Sequence, residues 1–186
     1  MPAASISTAA TGLAAAVLAS TNDPASAIAM LLPLAGYLPP VLPGSGAYWA
    51  RNQAAQDAIA SNLRCAACAA LARASALYQP ISYQDAQSVR LLVCDAIDAE
   101  ATRAADAGID ATYRALRDLR TAVALDLAVR GANLAALVEV TTLVSMPSLA
   151  EAYGLYQDTT REPELVASAG PQHPLWLPLT FQALQR

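Results

Sequence analysis

Small apolar residues, above all alanine, fill the first part of the chain and are broken at a few points by proline and glycine. Residues 7–20 and 25–34 are rich in helix formers, and Asn22-Asp23-Pro24 between them supplies a cap followed by proline at the first helical position. Residues 36–46 then contain three prolines and three glycines, which no regular element tolerates. The pattern predicts two short apolar helices and a linker within residues 1–46.

A helical domain is predicted over residues 47–135. Its first helix covers residues 47–78 and ends before Pro80. A capping box at Ser82–Asp85 begins the second helix, and Gly108 is placed to stop it in a left-handed conformation. The third helix follows after a very short turn, so the second and third form an antiparallel hairpin about 35 Å long at 1.5 Å per residue.

Apolar side chains recur at helical spacing in each of these three helices. The predicted buried positions are Ile59, Leu63, Ala66, Ala70 and Leu77 in the first helix, Val89, Val93 and Ile97 in the second, and Leu116, Leu119, Val123 and Leu127 in the third. The acidic residues Asp95, Asp98 and Glu100 are interpreted as a solvated face.

The residue pattern changes from helical spacing to a β-branched segment after residue 136. Residues 137–144 are β-branched and alternate in part, which predicts a strand. A second capping box at Ser148–Glu151 opens a helix through Tyr156, and another short helix covers residues 160–169. A proline-rich loop and a terminal strand over residues 179–184 follow. The order predicts a small βααβ module over residues 136–186 with antiparallel strands, appended to a mainly α-helical protein.

Charge and cysteine content narrow the functional classes. The chain has 15 acidic and 11 basic residues, all of the latter arginine, with a formal net charge of −4, so extended binding to nucleic-acid phosphates is not expected. Three cysteines without disulfide-framework spacing fit a reducing compartment. The first 50 residues contain no basic residue, which disfavours a secretory signal, and prolines interrupt the one apolar stretch, residues 25–41, that approaches a membrane span.

Candidate chemistry is sparse in this sequence. Cys65 and Cys68 share a helical face, but a structural zinc needs four ligands, and buried core residues are the preferred interpretation. His173, between Pro171 and Pro174, is interpreted as a hydrogen-bonding anchor of its loop. No phosphate-binding or hydrolase motif occurs, so we expect no enzymatic activity, no cofactor and no metal.

Two groups of residues are candidates for an interface. Arg114, Arg117 and Arg120 lie three apart among acidic residues, which favours ion pairs with a partner protein over contacts with DNA phosphates. The last third of the chain holds the aromatic residues Tyr153, Tyr156, Trp176 and Phe181. We expect these aromatic residues to form the core of the small module, with an exposed binding surface as the second interpretation. The candidate interface residues are Tyr153, Tyr156, His173, Trp176, Arg114, Arg117 and Arg120.

The C-terminal residues carry a family resemblance. Pro-Ser-Leu at 147–149, Ala-Tyr-Gly-Leu-Tyr-Gln-Asp at 152–158, Glu-Leu at 164–165 and His-Pro-Leu-Trp-Leu-Pro at 173–178 resemble the end of the Mu-type phage DNA circularisation proteins. The similarity covers roughly residues 83–186. The closing module is also similar to a degenerate LysM domain, although residues 168–170 are Ser-Ala-Gly where such modules usually carry asparagine.

The resemblance implies a structural role in a virion. We expect a component of a contractile-type phage tail, in the baseplate or hub, that connects neighbouring tail proteins in multiple copies after assembly in the bacterial cytoplasm. The alternatives are a protein that binds or circularises DNA ends, which needs a basic surface, and a peptidoglycan-binding module that acts at injection, which the Ser-Ala-Gly departure disfavours.

Overall fold

The computed structural model describes residues 3–185, with side chains from residue 6. It is mainly helical with a small two-stranded sheet, as the sequence predicts. The helices are α1 (Ala3–Ala19), α2 (Pro24–Ala35), α3 (Ala47–Leu77), α4 (Tyr83–Asp106), α5 (Asp110–Gly131), α6 (Ser148–Tyr156) and α7 (Glu162–Ala169). The strands are β1 (Leu137–Thr141) and β2 (Thr180–Leu184), and a single 3-10 turn covers Thr159–Arg161. The first two residues of the predicted apolar segment and the last residue of the predicted module lie outside the described residues.

Several predicted helix ends are confirmed by their capping contacts. Asp23 caps α2 by accepting hydrogen bonds from the amides of Ala25 and Ser26, and Pro24 occupies the first helical position. The hydroxyl of Ser82 accepts from the amide of Asp85 at 3.1 Å at the start of α4. Gly108, with φ +70°, lies in the predicted left-handed turn between α4 and α5.

The chain divides into two compact units. The first comprises the residues up to 79 together with 88–129, and the second comprises residues 80–87 and 130–186. The core of the first unit is built from all five long helices and is rich in alanine. Its largest fully buried apolar side chains are Leu31, Leu71, Val93, Ile97 and Leu127. Small side chains let these helices approach closely.

The apolar N-terminal helices pack on α3 within the first unit. Both α1 and α2 contact α3, and Ala27, Ile28, Leu31 and Ala35 of α2 are buried in the core. The linker after α2 is irregular, as predicted, and is held to α3 by a hydrogen bond from the amide of Leu42 to Oε1 of Gln53 at 2.9 Å. The helices α1 and α2, which the sequence analysis assigned to a separate apolar segment, therefore belong to the first unit.

The predicted apolar stripe of α3 is wrong at both ends. Ile59 and Leu77 are exposed, whereas Ala60, Arg64, Ala67 and Leu71 are buried. Alanine occurs on every side of this helix, so its faces differ little in hydrophobicity. The spacing of apolar residues therefore does not identify the buried face. The predicted stripe of α5 is confirmed, since Leu116, Val123 and Leu127 are buried and Leu119 packs against the core.

The second unit contains the βααβ order predicted from the sequence. Strands β1 and β2 pair antiparallel with Leu137 opposite Leu184 and Thr141 opposite Thr180. Helices α6 and α7 pack with the sheet around a small core of Ala152, Tyr156, Leu165, Leu177, Phe181 and Ala183. Strand β1 ends at Thr141, three residues before the predicted end, because the chain bends at residues 143–144.

The predicted capping box at Ser148 is wrong. Pro147 is the N-cap of α6, and its carbonyl accepts hydrogen bonds from the amides of Ala150 and Glu151. Ser148 is therefore already helical, and its buried hydroxyl donates to the carboxylate of Glu162 at the start of α7. The serine joins the two helices of the module instead of capping one of them.

Candidate interaction surfaces

A buried ion pair lies in the first unit, where the sequence predicted solvated charge. Glu100 of α4 is only 1% exposed and Arg64 of α3 only 7%, and the two form a salt bridge through Nε and Nη2 of the guanidinium. Ser61 donates a hydrogen bond to Glu100 at 3.1 Å, and Arg103 adds a second cation at 3.3 Å. The prediction of a solvated face is therefore wrong for Glu100.

Arg64 also fixes the linker that follows α2. Its Nη1 donates to the backbone carbonyl of Tyr37 at 3.0 Å. One side chain thus joins α3, α4 and the start of the linker. Its hydrogen bonds are strong because the guanidinium donor is charged and lies in a low-dielectric interior. The network is structural, since Glu100 is buried between two arginines and Arg64, the more buried of the two, has a hydrogen-bond partner for each guanidinium nitrogen.

The arginines of α5 are engaged within their own unit. Arg120 Nε lies 2.5 Å from one carboxylate oxygen of Asp98 and Arg117 Nη1 lies 3.4 Å from the other, which joins α5 to α4. Arg114, which is largely exposed, lies 3.9 Å from Asp110 one turn earlier. The ion pair with Asp98 also raises the pKa of Arg120. The arginine row is thus an ion-paired surface rather than a concentrated cationic one.

The cysteines lie in or beside the core of the first unit. Cys68 is buried, as predicted, whereas Cys65, which was also predicted to be buried, is half-buried; Cys94 is buried as well. Burial raises the pKa of the Cys68 thiol to about 12 and also raises those of Cys65 and Cys94. Protonated thiols are poor nucleophiles and poor metal ligands at neutral pH. Within residues 3–185, no group of three or more His, Cys, Asp or Glu side chains is placed to hold a metal ion.

A groove of about 690 Å³ runs between α3 and the first half of α5. Ala58, Cys65 and Ala69 line one wall, and Ala111 and Ala115 line the other. The lining carries no charged side chain, so the groove provides surface for packing rather than groups for acid–base chemistry.

The aromatic residues of the small module divide into two pairs. Tyr156 and Phe181 are buried in its core, as predicted, and burial raises the pKa of Tyr156. The guanidinium carbon of Arg161 stacks 4.1 Å from the centre of the Tyr156 ring. Tyr153 and Trp176, by contrast, are 56% and 69% exposed. The core interpretation is therefore wrong for Tyr153 and Trp176.

Trp176 belongs to an extended apolar surface of the second unit, which we call the C-terminal apolar surface. Its members are large hydrophobic side chains with at least two fifths of their surface exposed, namely Leu143, Val144, Met146, Leu149, Tyr153, Leu175, Trp176 and Leu179. They occupy the loop after β1, the exposed side of α6 and the loop before β2. Large hydrophobic side chains exposed together on neighbouring segments can mark a site of interaction with another molecule.

Backbone hydrogen bonds hold the two loops of this surface side by side. The amide of Ser148 donates to the carbonyl of Pro174 at 2.8 Å, and that of Leu177 donates to Met146 at 3.2 Å. The hydroxyl of Ser145 adds a bond to the carbonyl of Leu177 at 2.7 Å. These three hydrogen bonds fix the two loops relative to each other.

His173 holds the second of these loops in shape. Its Nδ1 accepts a hydrogen bond from the amide of Leu175 at 3.1 Å, and its carbonyl accepts from the amide of Trp176 at 3.0 Å. The predicted role as a hydrogen-bonding loop anchor is confirmed. The turn places Trp176 outward on the C-terminal apolar surface.

No protein-family model matches the chain, and a search of curated proteins finds no significant match. The resemblance to the circularisation proteins and to LysM modules therefore stays a prediction from the sequence. None of the helices over residues 3–185 combines the length and the apolar character that crossing a bilayer requires.

The sequence identified some of these features and missed others. The seven candidate interface residues fall in both units, with the arginines in the first and Tyr153, Tyr156, His173 and Trp176 in the second. The aliphatic members of the C-terminal apolar surface were missed, although Leu-Val at 143–144 directly before Ser-Met-Pro signals an apolar segment outside a regular element. The pairing of Arg64 with Glu100 had no local signal, because 36 residues separate them.

Proposed function

We propose that this protein is a structural component of a contractile-type phage tail, in its baseplate or hub, and that it docks onto a neighbouring tail protein through the C-terminal apolar surface. The single observation that carries the proposal is the exposure of Trp176 and Tyr153 together with aliphatic neighbours on an ordered framework. Tryptophan and tyrosine are among the residues enriched at energetically dominant interface positions. An exposed apolar surface on a small rigid module is what a connector needs.

The order of elements in the second unit gives further support. The strand, two helices and strand between residues 137 and 184 have the arrangement that the resemblance implies for the end of the chain. The residues that carry the resemblance, Met146 to Asp158 and His173 to Pro178, largely coincide with the segments that build the C-terminal apolar surface. The resemblance and the exposure thus support a docking role for the same segments.

Two variants test docking against a matched control. We expect Trp176→Ala and Leu149→Ser to lower the number of copies incorporated per particle by about tenfold or more, as the loss of an interface hot spot does. Leu125→Ser is the control, since the exposure of Leu125 in α5 lies between those of Leu149 and Trp176 but the residue belongs to the other unit. Particles from hosts producing each variant are purified and the protein is quantified by mass spectrometry. Equal incorporation of all three variants would contradict docking through this surface.

The DNA-end interpretation receives little support from the arginines. Arg117 and Arg120 share Asp98, and Arg114 lies beside Asp110, so the acidic neighbours offset much of the local positive charge. We expect no salt-dependent shift of linear duplex DNA at physiological ionic strength. A shift that disappears in Arg117→Gln would favour the DNA-end activity instead, and retention on purified cell-wall sacculi would favour the peptidoglycan-binding alternative.

A further inference from the structure

On the outer edge of strand β1, some backbone amides and carbonyls have no hydrogen-bond partner among the described residues. In the antiparallel ladder, the amide of Thr142 donates to the carbonyl of Leu179, and that of Gln185 donates to Ala136. Backbone groups alternate in direction along a strand, so even-numbered residues of β1 face β2 and odd-numbered residues face away from it. The outward positions are therefore Leu137, Glu139 and Thr141.

One of these three positions is closed by a side chain. The amide of Leu137 donates to Oε1 of Gln84 at 2.7 Å, and Nε2 of Gln84 donates back to the carbonyl of Leu137 at 3.1 Å. The glutamine amide thus takes the place of a neighbouring peptide group. Glu139 and Thr141 are exposed, and within the described residues their outward amides and carbonyls have no hydrogen-bond partner.

We propose that this edge pairs with the same edge of a second copy of the chain, antiparallel and about a two-fold axis at Val140. An open strand edge is a template for another strand, and identical edges close such a pair with symmetry. The product is a four-stranded sheet in the order β2, β1, β1 of the copy, β2 of the copy. The proposal is independent of the tail assignment and of the C-terminal apolar surface.

The register follows from the outward groups and from charge. With the axis at Val140, Glu139 lies opposite Thr141 of the second copy, and Thr141 lies opposite its Glu139. Both are hydrogen-bonded pairs, so four new backbone bonds form. An axis at Glu139 would set the two carboxylates directly across from each other, which is destabilising. An axis at Thr141 would carry Glu139 beyond the end of the strand to the bend at residue 143.

Side chains on the helix-covered side of the sheet agree with the same register. Val140, half-buried against the module core, meets Val140 of the second copy at the axis. Val138, which is 40% exposed, lies opposite Thr142 of the copy. The pairing therefore covers apolar surface on one side of the sheet and matches a carboxylate with a hydroxyl on the other.

Amide hydrogen exchange measured by NMR at two protein concentrations tests the pairing on the intact chain. We expect a weak dimer with a dissociation constant of about 10 µM to 1 mM, as small interfaces give. The amides of Glu139 and Thr141 should exchange at least about tenfold more slowly when the dimer is populated. Those of Val138 and Val140, already bonded to β2, should be protected at both concentrations. Unchanged exchange at Glu139 and Thr141, or a monomer throughout this range in the ultracentrifuge, would overturn the proposal.

Crosslinking tests the register itself. In the proposed pairing, residues 139 and 141 of opposite copies have Cα atoms about 5.5 Å apart, within disulfide range, whereas the two copies of residue 139 are offset. A mixture of Glu139→Cys and Thr141→Cys chains should therefore crosslink at least about tenfold faster than either variant alone, in a background with Cys65→Ser. Equal rates, or faster crosslinking of Glu139→Cys alone, would overturn the register.

Thr141→Pro removes one outward amide and leaves the ladder to β2 intact, so it should abolish the dimer while circular dichroism stays unchanged. Gln182→Pro makes the same change on the outward side of β2 and is its control. A dimer that persists in Thr141→Pro would overturn the proposal. If either proline variant unfolds, the crosslinking rate of the cysteine mixture still tests the dimer, because the cysteine substitutions keep every backbone amide.

Discussion

Arg64 and Glu100 form a buried salt bridge between α3 and α4 across 36 residues of sequence. Two nitrogens of the guanidinium face the two carboxylate oxygens, and the third nitrogen bonds the carbonyl of Tyr37. Such a pair contributes little net stability relative to apolar residues of similar size, but breaking it leaves an uncompensated buried charge. We therefore expect the pair to favour one packing of α3 against α4, and we expect the loss of one partner to destabilise the first unit.

Removing Arg64 is predicted to be far more costly than removing Arg103. Arg64→Met should lower the free energy of unfolding by about 3–5 kcal/mol, because Glu100 stays buried and keeps only its longer ion pair with Arg103. Arg103→Met should cost at most about 1 kcal/mol, because Arg103 is 34% exposed and its pair with Glu100 is longer. Urea denaturation of both variants measures the difference, and similar losses would show that the buried geometry is not what matters.

Alkaline pH is predicted to destabilise the fold through Cys68. The thiol pKa is about 12 in the folded chain, against 9.0 for an unperturbed cysteine. Below pH 9 neither state is ionised and stability is unaffected. Between pH 9 and 12 only the unfolded chain loses the proton, so stability falls by up to about 1.4 kcal/mol per pH unit.

Cys68→Ala separates this effect from other alkaline titrations. The variant should be less stable at neutral pH, because it loses buried volume, but its stability should fall less steeply between pH 9 and 11. Parallel pH profiles of the variant and the parent would contradict the assignment to Cys68.

Gly131→Ala is predicted to destabilise the second unit. A Cβ at this position would lie 2.7 Å from Cβ of Ala86, so the end of α5 must move away from the start of α4. The expected loss is about 1–3 kcal/mol, as for overpacking elsewhere. Gly154→Ala is the control, since a Cβ there meets nothing within 4 Å inside α6 and should add about 0.5–1 kcal/mol of stability. Thermal unfolding followed by circular dichroism gives both shifts, and a neutral Gly131→Ala would show that the helix ends separate freely.

Local sequence signals predicted the elements of this fold well. Asp23, Ser82 and Gly108 mark helix boundaries through their own backbone neighbours, so their roles are written in short segments of sequence. The order of strands and short helices after residue 136 is visible for the same reason. The predicted capping role of Ser148 was wrong because Pro147 is the N-cap of α6. The hydroxyl of Ser148 instead donates a hydrogen bond to Glu162.

Long-range relationships were the part that sequence could not supply. The burial of Glu100 depends on Arg64, and α3 gives little indication of its buried face because alanine lies on all sides of it. The exposure of Trp176 depends on the turn that His173 closes and on the pairing of two distant loops. The turn at His173 is local, but the ion pair and the pairing of the two loops join segments tens of residues apart, and no local periodicity encodes them.

The most direct test of the tail assignment is the composition of purified particles. Mass spectrometry with labelled reference peptides would count copies of this chain relative to a major tail protein in particles purified from infected cells. The account predicts stoichiometric presence at a fixed, small number of copies per particle. Absence from particles, with abundance in the infected cells that produced them, would contradict a structural role in the tail.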